Sequence, residues 1–417
     1  MKNEKAAAII AIFIVLVLFL SPNVPAEEPS QQKNNPFIKY QTEHYQIITE
    51  VSSEVTKKVG NGMEAILQEY SRILPFAEEQ LPSSLFRVRI FLGKEDFQRY
   101  CREALNFTYD PESFVYVHYQ NPEKREVVCF LLPEIPFFRR LHHEAFHQYL
   151  RHFIHYPPPW LNEGLAELFE ASAMTEQGIV QIKPSPGWVK QLKEDVLISE
   201  KYKYIDLKSL LTISKEEWLQ NSSSAYPESW AFCYYLLKSE EAQLARYLNN
   251  CIEVLNPDVS IEENTNNVFQ GVFAKINLQQ LEKNWLEFVQ EMQPTQGHGH
   301  FQKGEALLEK GKLQEALTEF NKAIERDESY HRYYYFRART YYRLKRYDQA
   351  IKDFKKALNI FPEYTATLFL LAKAYQKKKD YVRAKESLLM IIQYESTYKD
   401  LAEEFLDEIN QELRQKN

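Results

Sequence analysis

His143-Glu144-Ala145-Phe146-His147 lies within an apolar run (Phe137, Phe138, Leu141, Phe146, Tyr149, Leu150) whose spacing predicts a helix. Residues four apart on a helix stand one turn apart on nearly the same face, so both imidazoles can reach one divalent metal. Glu144 follows the first histidine, where a carboxylate can take a proton from a water at the metal's open coordination position.

A site of this kind needs a third ligand. Glu163, sixteen residues past His147, belongs to Trp160-Leu161-Asn162-Glu163-Gly164-Leu165-Ala166-Glu167-Leu168-Phe169, a second stretch with helical apolar rhythm. Glu163 can supply an oxygen ligand, and Glu167, one turn on, can orient a ligand imidazole through its free N–H. Between the two helices Tyr156-Pro157-Pro158-Pro159 forms a stiff break that turns the chain back. His142, His152 and His155 lack partner spacing and read as neighbours of the site.

His-Glu-x-x-His followed by Asn-Glu-Gly-x-Ala resembles the gluzincin metallopeptidases. The form Pro158-Pro159-Trp160-Leu161-Asn162-Glu163-Gly164-Leu165-Ala166-Glu167 is most similar to the peptidase MA-like domain of extracytoplasmic bacterial proteins, over roughly residues 37–290. The resemblance implies that His143, His147 and Glu163 bind Zn2+ and that Glu144 is the general base. Tyr226-Pro227-Glu228-Ser229-Trp230-Ala231 resembles the aminopeptidase branch's Tyr-Glu-x-Gly-x-Ala helix start, which assigns Tyr226 the oxyanion-stabilising role. Two departures matter. The gap from His147 to Glu163 is shorter than in that branch, and the Gly-x-Met-Glu-Asn strand that anchors a substrate's free amine is missing. Its place is taken by Arg125-Glu126-Val127-Val128-Cys129-Phe130-Leu131-Leu132, in which Glu126 is either a substitute for that anchor or, as an exposed strand glutamate usually is, a solvated residue.

The length, 417 residues with 44% apolar and 14% aromatic content, suffices for several packed cores. Residues 27–296 carry 26 Lys plus Arg against 38 Asp plus Glu, whereas residues 297–417 carry 23 against 19. The acidic first part argues against nucleic acid as a substrate. Ala6 to Leu20 is an uncharged run behind Lys2 and Lys5, followed by Ser21-Pro22-Asn23-Val24-Pro25-Ala26. This pattern fits a signal peptide cleaved after Ala26 and an extracytoplasmic mature chain, with an uncleaved membrane anchor as the alternative. Cys101, Cys129, Cys233 and Cys251 show no metal or redox spacing. Buried thiols are the default for Cys129 and Cys233, and one disulfide remains open.

Strands are expected over Lys39–Ile48, Phe86–Leu92, Ser113–Tyr119 and Val127–Leu132, with an amphipathic helix over Ser53–Leu74. Residues from 175 to about 293 read as mostly helical, anchored by Trp188, Trp218, Trp230 and Trp285. Beyond Gln293-Pro294-Thr295-Gln296-Gly297-His298-Gly299-His300 the chain becomes periodic. Ala316, Ala350 and Ala384 recur every thirty-four residues, as do Gly304, Ala338 and Ala372, Leu307, Tyr341 and Tyr375, and Phe320, Phe354 and Leu388. That is the tetratricopeptide helix-turn-helix period, with Pro362 at a repeat end and Leu401–Leu413 as a capping helix.

The fold class expected is therefore α+β: a zincin-like metallopeptidase domain with a small mixed sheet, active-site helices and a helical subdomain, then an all-α repeat solenoid. The division is 1–26 signal peptide, 27–136 mixed subdomain, 137–293 site helices and helical subdomain, 294–299 linker, 300–396 three repeats and 397–417 cap. Two function classes follow. One is a zinc peptidase acting on a peptide or protein substrate, with a protein partner recruited through the repeats and no nucleic acid. The other is a non-catalytic repeat scaffold that keeps the metal fold as structure.

Overall fold

A computed structural model describes residues 37–416 apart from 77–80, 82–83, 112, 120, 133, 175–179, 200, 240–241, 293–296, 329, 362–363 and 394–397. The signal segment, half of the expected linker (294–296) and Pro362 lie outside the described residues. The described residues divide into two compact units, one built from those within 37–132 with 137–292 and the other essentially from those within 297–416. The first holds a mixed five-stranded sheet with helices and the second is a tetratricopeptide helical region.

The sheet contains β1 (Ile38–Gln41), β2 (Tyr45–Thr49), β3 (Phe86–Phe91), β4 (Val115–Val117) and β5 (Glu126–Phe130), in the spatial order β1-β2-β3-β5-β4. β2, β3 and β5 run parallel, and the two outer strands pair antiparallel to their neighbours. Parallel strands need crossovers, supplied by α1 (Ser53–Ile73) and α2 (Lys94–Glu103). Every residue of β5 is buried, as a central strand covered on both faces requires. The stretch expected as one strand from Lys39 to Ile48 is instead a hairpin. The Thr42 hydroxyl, the His44 N–H and His44 Nδ1 all converge on the Glu64 carboxylate of α1, which fixes the bend.

α3 (Glu134–Phe153) and α4 (Pro159–Glu170) follow the sheet, Pro159 occupying the first turn of α4 where its missing N–H costs nothing. Tyr70 of α1 sits at their junction. Its hydroxyl donates to the His142 carbonyl at 2.6 Å, and its ring packs edge-on against Phe146 and Phe169. Next come a β6 (Ser172–Met174) and β7 (Val180–Ile182) hairpin, which interrupts the expected helical region, then α5 (Pro186–Lys190), α6 (Leu207–Thr212), α7 (Lys215–Gln220), α8 (Ser222–Lys238), α9 (Ala242–Glu253), α10 (Ile261–Val268) and α11 (Leu278–Glu291), with π-helical turns at Gln191–Ile198 and Phe269–Phe273. Trp218, Trp230 and Trp285 are buried core residues, while Trp188 is partly exposed. α8 packs on α4 so closely that a Cβ at Gly164 would meet the Ser229 carbonyl oxygen at 2.5 Å and Cys233 Sγ at 2.7 Å. All four cysteines are free and buried.

In the second unit α12 (His298–Glu309) and α13 (Leu313–Arg326), α14 (His331–Arg343) and α15 (Tyr347–Ile360), and α16 (Thr365–Lys377) and α17 (Tyr381–Gln393) form three helix pairs, closed by α18 (Lys399–Lys416). The helix starts at His298, so His298 and Gly299 are helical residues rather than linker. The thirty-four-residue period marks buried packing positions: Ala316, Ala350 and Ala384 are fully buried, as are Phe320, Phe354 and Leu388. Gly304 is small because the Phe320 ring lies against it.

Candidate metal centre

α3 carries His143, Glu144 and His147, α4 carries Glu163, and all four side chains are buried. The two helices bring three ligand atoms together. His143 Nε2 and His147 Nε2 stand 3.1 Å apart, and Glu163 Oε2 lies 3.8 Å from the first and 3.6 Å from the second. Two ligands about 2.0–2.1 Å from a tetrahedral zinc stand about 3.3 Å from each other, so the triangle has the size such an ion needs. Glu163 Oε2 is buried and finds no hydrogen-bond partner among the described residues, as expected for an atom kept for a metal. These residues form a group able to hold a metal ion.

The far sides of the same groups are held by hydrogen bonds. His147 Nδ1 faces Asn162 Oδ1 at 3.2 Å, and the same amide donates from Nδ2 to Glu163 Oε1 at 2.7 Å. One side chain thus turns both an imidazole and a carboxylate so that Nε2 and Oε2 face inward. His143 Nδ1 lies 3.1 Å from Glu170 Oε2 and 3.8 Å from Glu167 Oε1. Glu167, the expected orienting carboxylate, accepts from Trp188 Nε1 at 2.6 Å. Glu170 is therefore nearer to His143 than Glu167 is. Asn162 and Glu170 were not singled out from sequence. The available signal was helical spacing, since Glu163, Glu167 and Glu170 form one i, i+4, i+7 stripe.

Glu144 is fixed by the sheet: its Oε2 accepts the backbone N–H of Tyr116 on edge strand β4 at 2.8 Å. Burial, opposed by the neighbouring His143, pushes its carboxyl up to about 7. Burial lowers the basicity of both imidazoles. It prevails at His147, held well below its usual value, whereas at His143 the Glu170 hydrogen bond and the Glu167 charge overcome it and raise the group to about 10. Glu167 is pushed up to about 8 by burial and by Glu170. Three buried carboxylates, Glu144, Glu163 and Glu167, and the half-buried Glu170 surround two imidazoles, and ionising them together is costly unless a cation joins the cluster.

Tyr226 is buried, its ring parallel to Trp188 at 6.1 Å and edge-on to Trp218 at 4.3 Å. Glu163, Glu167, Glu144 and Glu170 all act on its hydroxyl, so it belongs to the same neighbourhood. It lies in the second turn of α8 rather than at a helix start, because Pro227 is accommodated inside the helix. The carbonyl that proline leaves without an intrahelical donor, that of Ser223, accepts from Gln191 Nε2 at 2.7 Å.

Glu126 is neither solvated nor near these ligands. It is buried against Arg89 Nε at 3.1 Å and the Tyr100 hydroxyl at 2.6 Å, an ion pair across neighbouring strands. His142, whose Nδ1 faces Ser172 Oγ at 3.0 Å, stands apart from the ligand triangle.

Residues 139–254, which include His143, Glu144, His147, Glu163 and Tyr226, match a family described as a protein of unknown function, DUF1570. Residues 301–365 and 341–404 match two tetratricopeptide repeat families. No curated protein matches the chain. Among solved structures, the chain is similar to the first tetratricopeptide domain of human RPAP3, at 24% identity over 29% of this chain and 94% of that one, TM-score 0.28. It is also similar to the Sgt2 tetratricopeptide domain of Aspergillus fumigatus, at 20% identity over 29% and 81%, TM-score 0.27. A third is the Yersinia enterocolitica type III secretion chaperone SycD in complex with a YopD peptide, at 16% identity over 27% and 90%, TM-score 0.26.

Proposed function

We propose that the first unit is an extracytoplasmic zinc peptidase in which His143, His147 and Glu163 hold the metal. The observation that carries this reading is the inward convergence of His143 Nε2, His147 Nε2 and Glu163 Oε2 beside a glutamate locked to the edge strand. When bound, zinc supplies Lewis acidity that brings a water's pKa near neutrality. Glu144, beside the three ligand atoms, is placed to accept a proton from a water there. A base with a pKa near the working pH both accepts and returns a proton readily, so the same carboxyl can pass it on to the leaving amine. The Tyr116 N–H holds one carboxylate oxygen and leaves the other to work. Tyr226, held between two indoles, donates its hydroxyl to the carbonyl oxygen as charge develops there. β4 pairs with β5 on one side, which leaves its other edge to an extended peptide backbone. The repeats recruit a substrate or partner protein.

Glu144→Gln keeps shape and hydrogen-bonding capacity but removes the base. The zinc-loaded variant, assayed on a peptide library, should keep its metal while hydrolysis falls by about two to four orders of magnitude. Undiminished hydrolysis sinks the assignment. A wild-type chain that binds zinc but cleaves no peptide leaves the scaffold reading.

A further inference from the structure

Arg151 lies on the site face of α3, one turn past His147, and is 4% exposed. Burying a guanidinium is expensive unless it is paired, yet this one spends a donor on the His155 carbonyl at 2.9 Å. Its Nε is buried with no hydrogen-bond partner among the described residues. Arg125, just before β5, likewise donates Nε to a carbonyl, that of Tyr119 at 2.7 Å, and its Nη1 lies 3.5 Å from the Arg151 carbonyl. Lys215, the first residue of α7, is half-buried and feels both Arg151 and Glu163. His118, the residue after β4, hydrogen-bonds the Tyr116 hydroxyl at 3.1 Å, and burial first and then the two arginines hold its imidazole well below the usual histidine range.

Arg125 and Arg151 thus meet at the end of the ligand helix, and Lys215 adds a third positive charge to the field at Arg151. The carboxylate that acts on Arg151 is Glu163, the residue placed to bind metal, while Lys215 feels its neighbour Glu216 ahead of Glu163. This happens in a part of the chain with 26 basic against 38 acidic residues, where anionic partners were available in excess. Like charges held together with a buried, unmatched donor describe a receptor for an anion.

We propose that Arg151, Arg125 and Lys215 form a substrate subsite for a carboxylate, beside the ligands and in line with an extended peptide on β4. The inference rests on the peptidase reading and names its substrate class: peptides carrying an acidic group near the scissile bond. That group is either an Asp or Glu side chain or the free C-terminal carboxylate.

Four peptides distinguish these cases: a neutral peptide blocked at both ends, the same peptide with one Asp, with one Lys, and with a free C-terminus. Their affinities are read by calorimetry on the zinc-loaded full chain carrying Glu144→Gln, and their hydrolysis on the wild-type chain. One charge-assisted contact should favour an acidic peptide over the neutral one by about ten- to a hundredfold. Preference for the Asp peptide assigns a side-chain pocket, and preference for the free C-terminus assigns a carboxypeptidase-like site. Arg151→Gln and, as the less buried second variant, Lys215→Gln should each shrink the acidic-over-neutral ratio at least fivefold. Equal affinity for neutral and acidic peptides, or a ratio unmoved by both substitutions, overturns the proposal even if hydrolysis is robust. Charge-selective binding without hydrolysis keeps the subsite and removes the peptidase reading.

Discussion

Asn162 holds the outer atoms of two of the three ligand side chains, His147 Nδ1 and Glu163 Oε1, and Glu170 sits behind the third. An imidazole that donates its outer N–H to a carboxylate is a better-oriented and more basic ligand, and losing such a partner typically costs 10- to 100-fold in metal affinity. Glu170→Gln should therefore weaken zinc binding within that range in a chelator-competition titration. Glu167→Gln should weaken it less, because Glu167 stands further from His143 and is occupied by the Trp188 indole. The reverse ranking would return the orienting role to Glu167. At this scale sequence was informative for the ligands and poor for their supports. Histidines four apart on a helix must share a face, whereas Glu167 and Glu170 both lie on the stripe of Glu163, and only the depth and angle of α4 choose between them. Arg151 shared the face of His147 in the same way, but nothing local showed that it would be buried without a carboxylate.

The turns within the three helix pairs share a strained residue that periodicity alone did not expose. Gly311, Lys345 and Lys379 occupy the same repeat position, each in the left-handed region with φ of 75°, 61° and 60°. Each closes its helix in the same way, with the next N–H reaching back to Leu307, Tyr341 and Tyr375 respectively. Glycine meets this conformation without a Cβ clash, whereas lysine pays for it in every folded molecule. Lys345→Gly should raise the stability of the repeats by up to about 1 kcal/mol, part of the relief being offset by the glycine's greater freedom when unfolded. Denaturant midpoints measure this, and a lowered midpoint would show that the lysine side chain earns more than its backbone costs. The same lesson holds for the other misplaced boundaries. Pro227 looked like a helix entrance, but Gln191, distant in sequence, satisfies the carbonyl it frees. Lys39–Ile48 looked like one strand, but Glu64 bends it.

Each unit has its own apolar packing among the described residues. One cluster runs from Tyr45 to Met292, and the two others lie between Phe301 and Ile409. No described helix is long and apolar enough to cross a membrane. A chain ending at Gln293 retains every residue of the first core and every ligand, so it should unfold cooperatively and bind zinc as the full chain does. Loss of a cooperative transition would show that the repeats complete the first unit. The central claim is that two imidazoles and one carboxylate hold zinc, and X-ray absorption at the zinc edge of the stoichiometrically loaded full chain addresses it directly. The account predicts one equivalent of zinc in a shell of nitrogen and oxygen at about 2.0–2.1 Å, with the outer scattering of two imidazoles that falls to one in His147→Ala. Sulfur at about 2.3 Å, or a spectrum unchanged by His147→Ala, would contradict it.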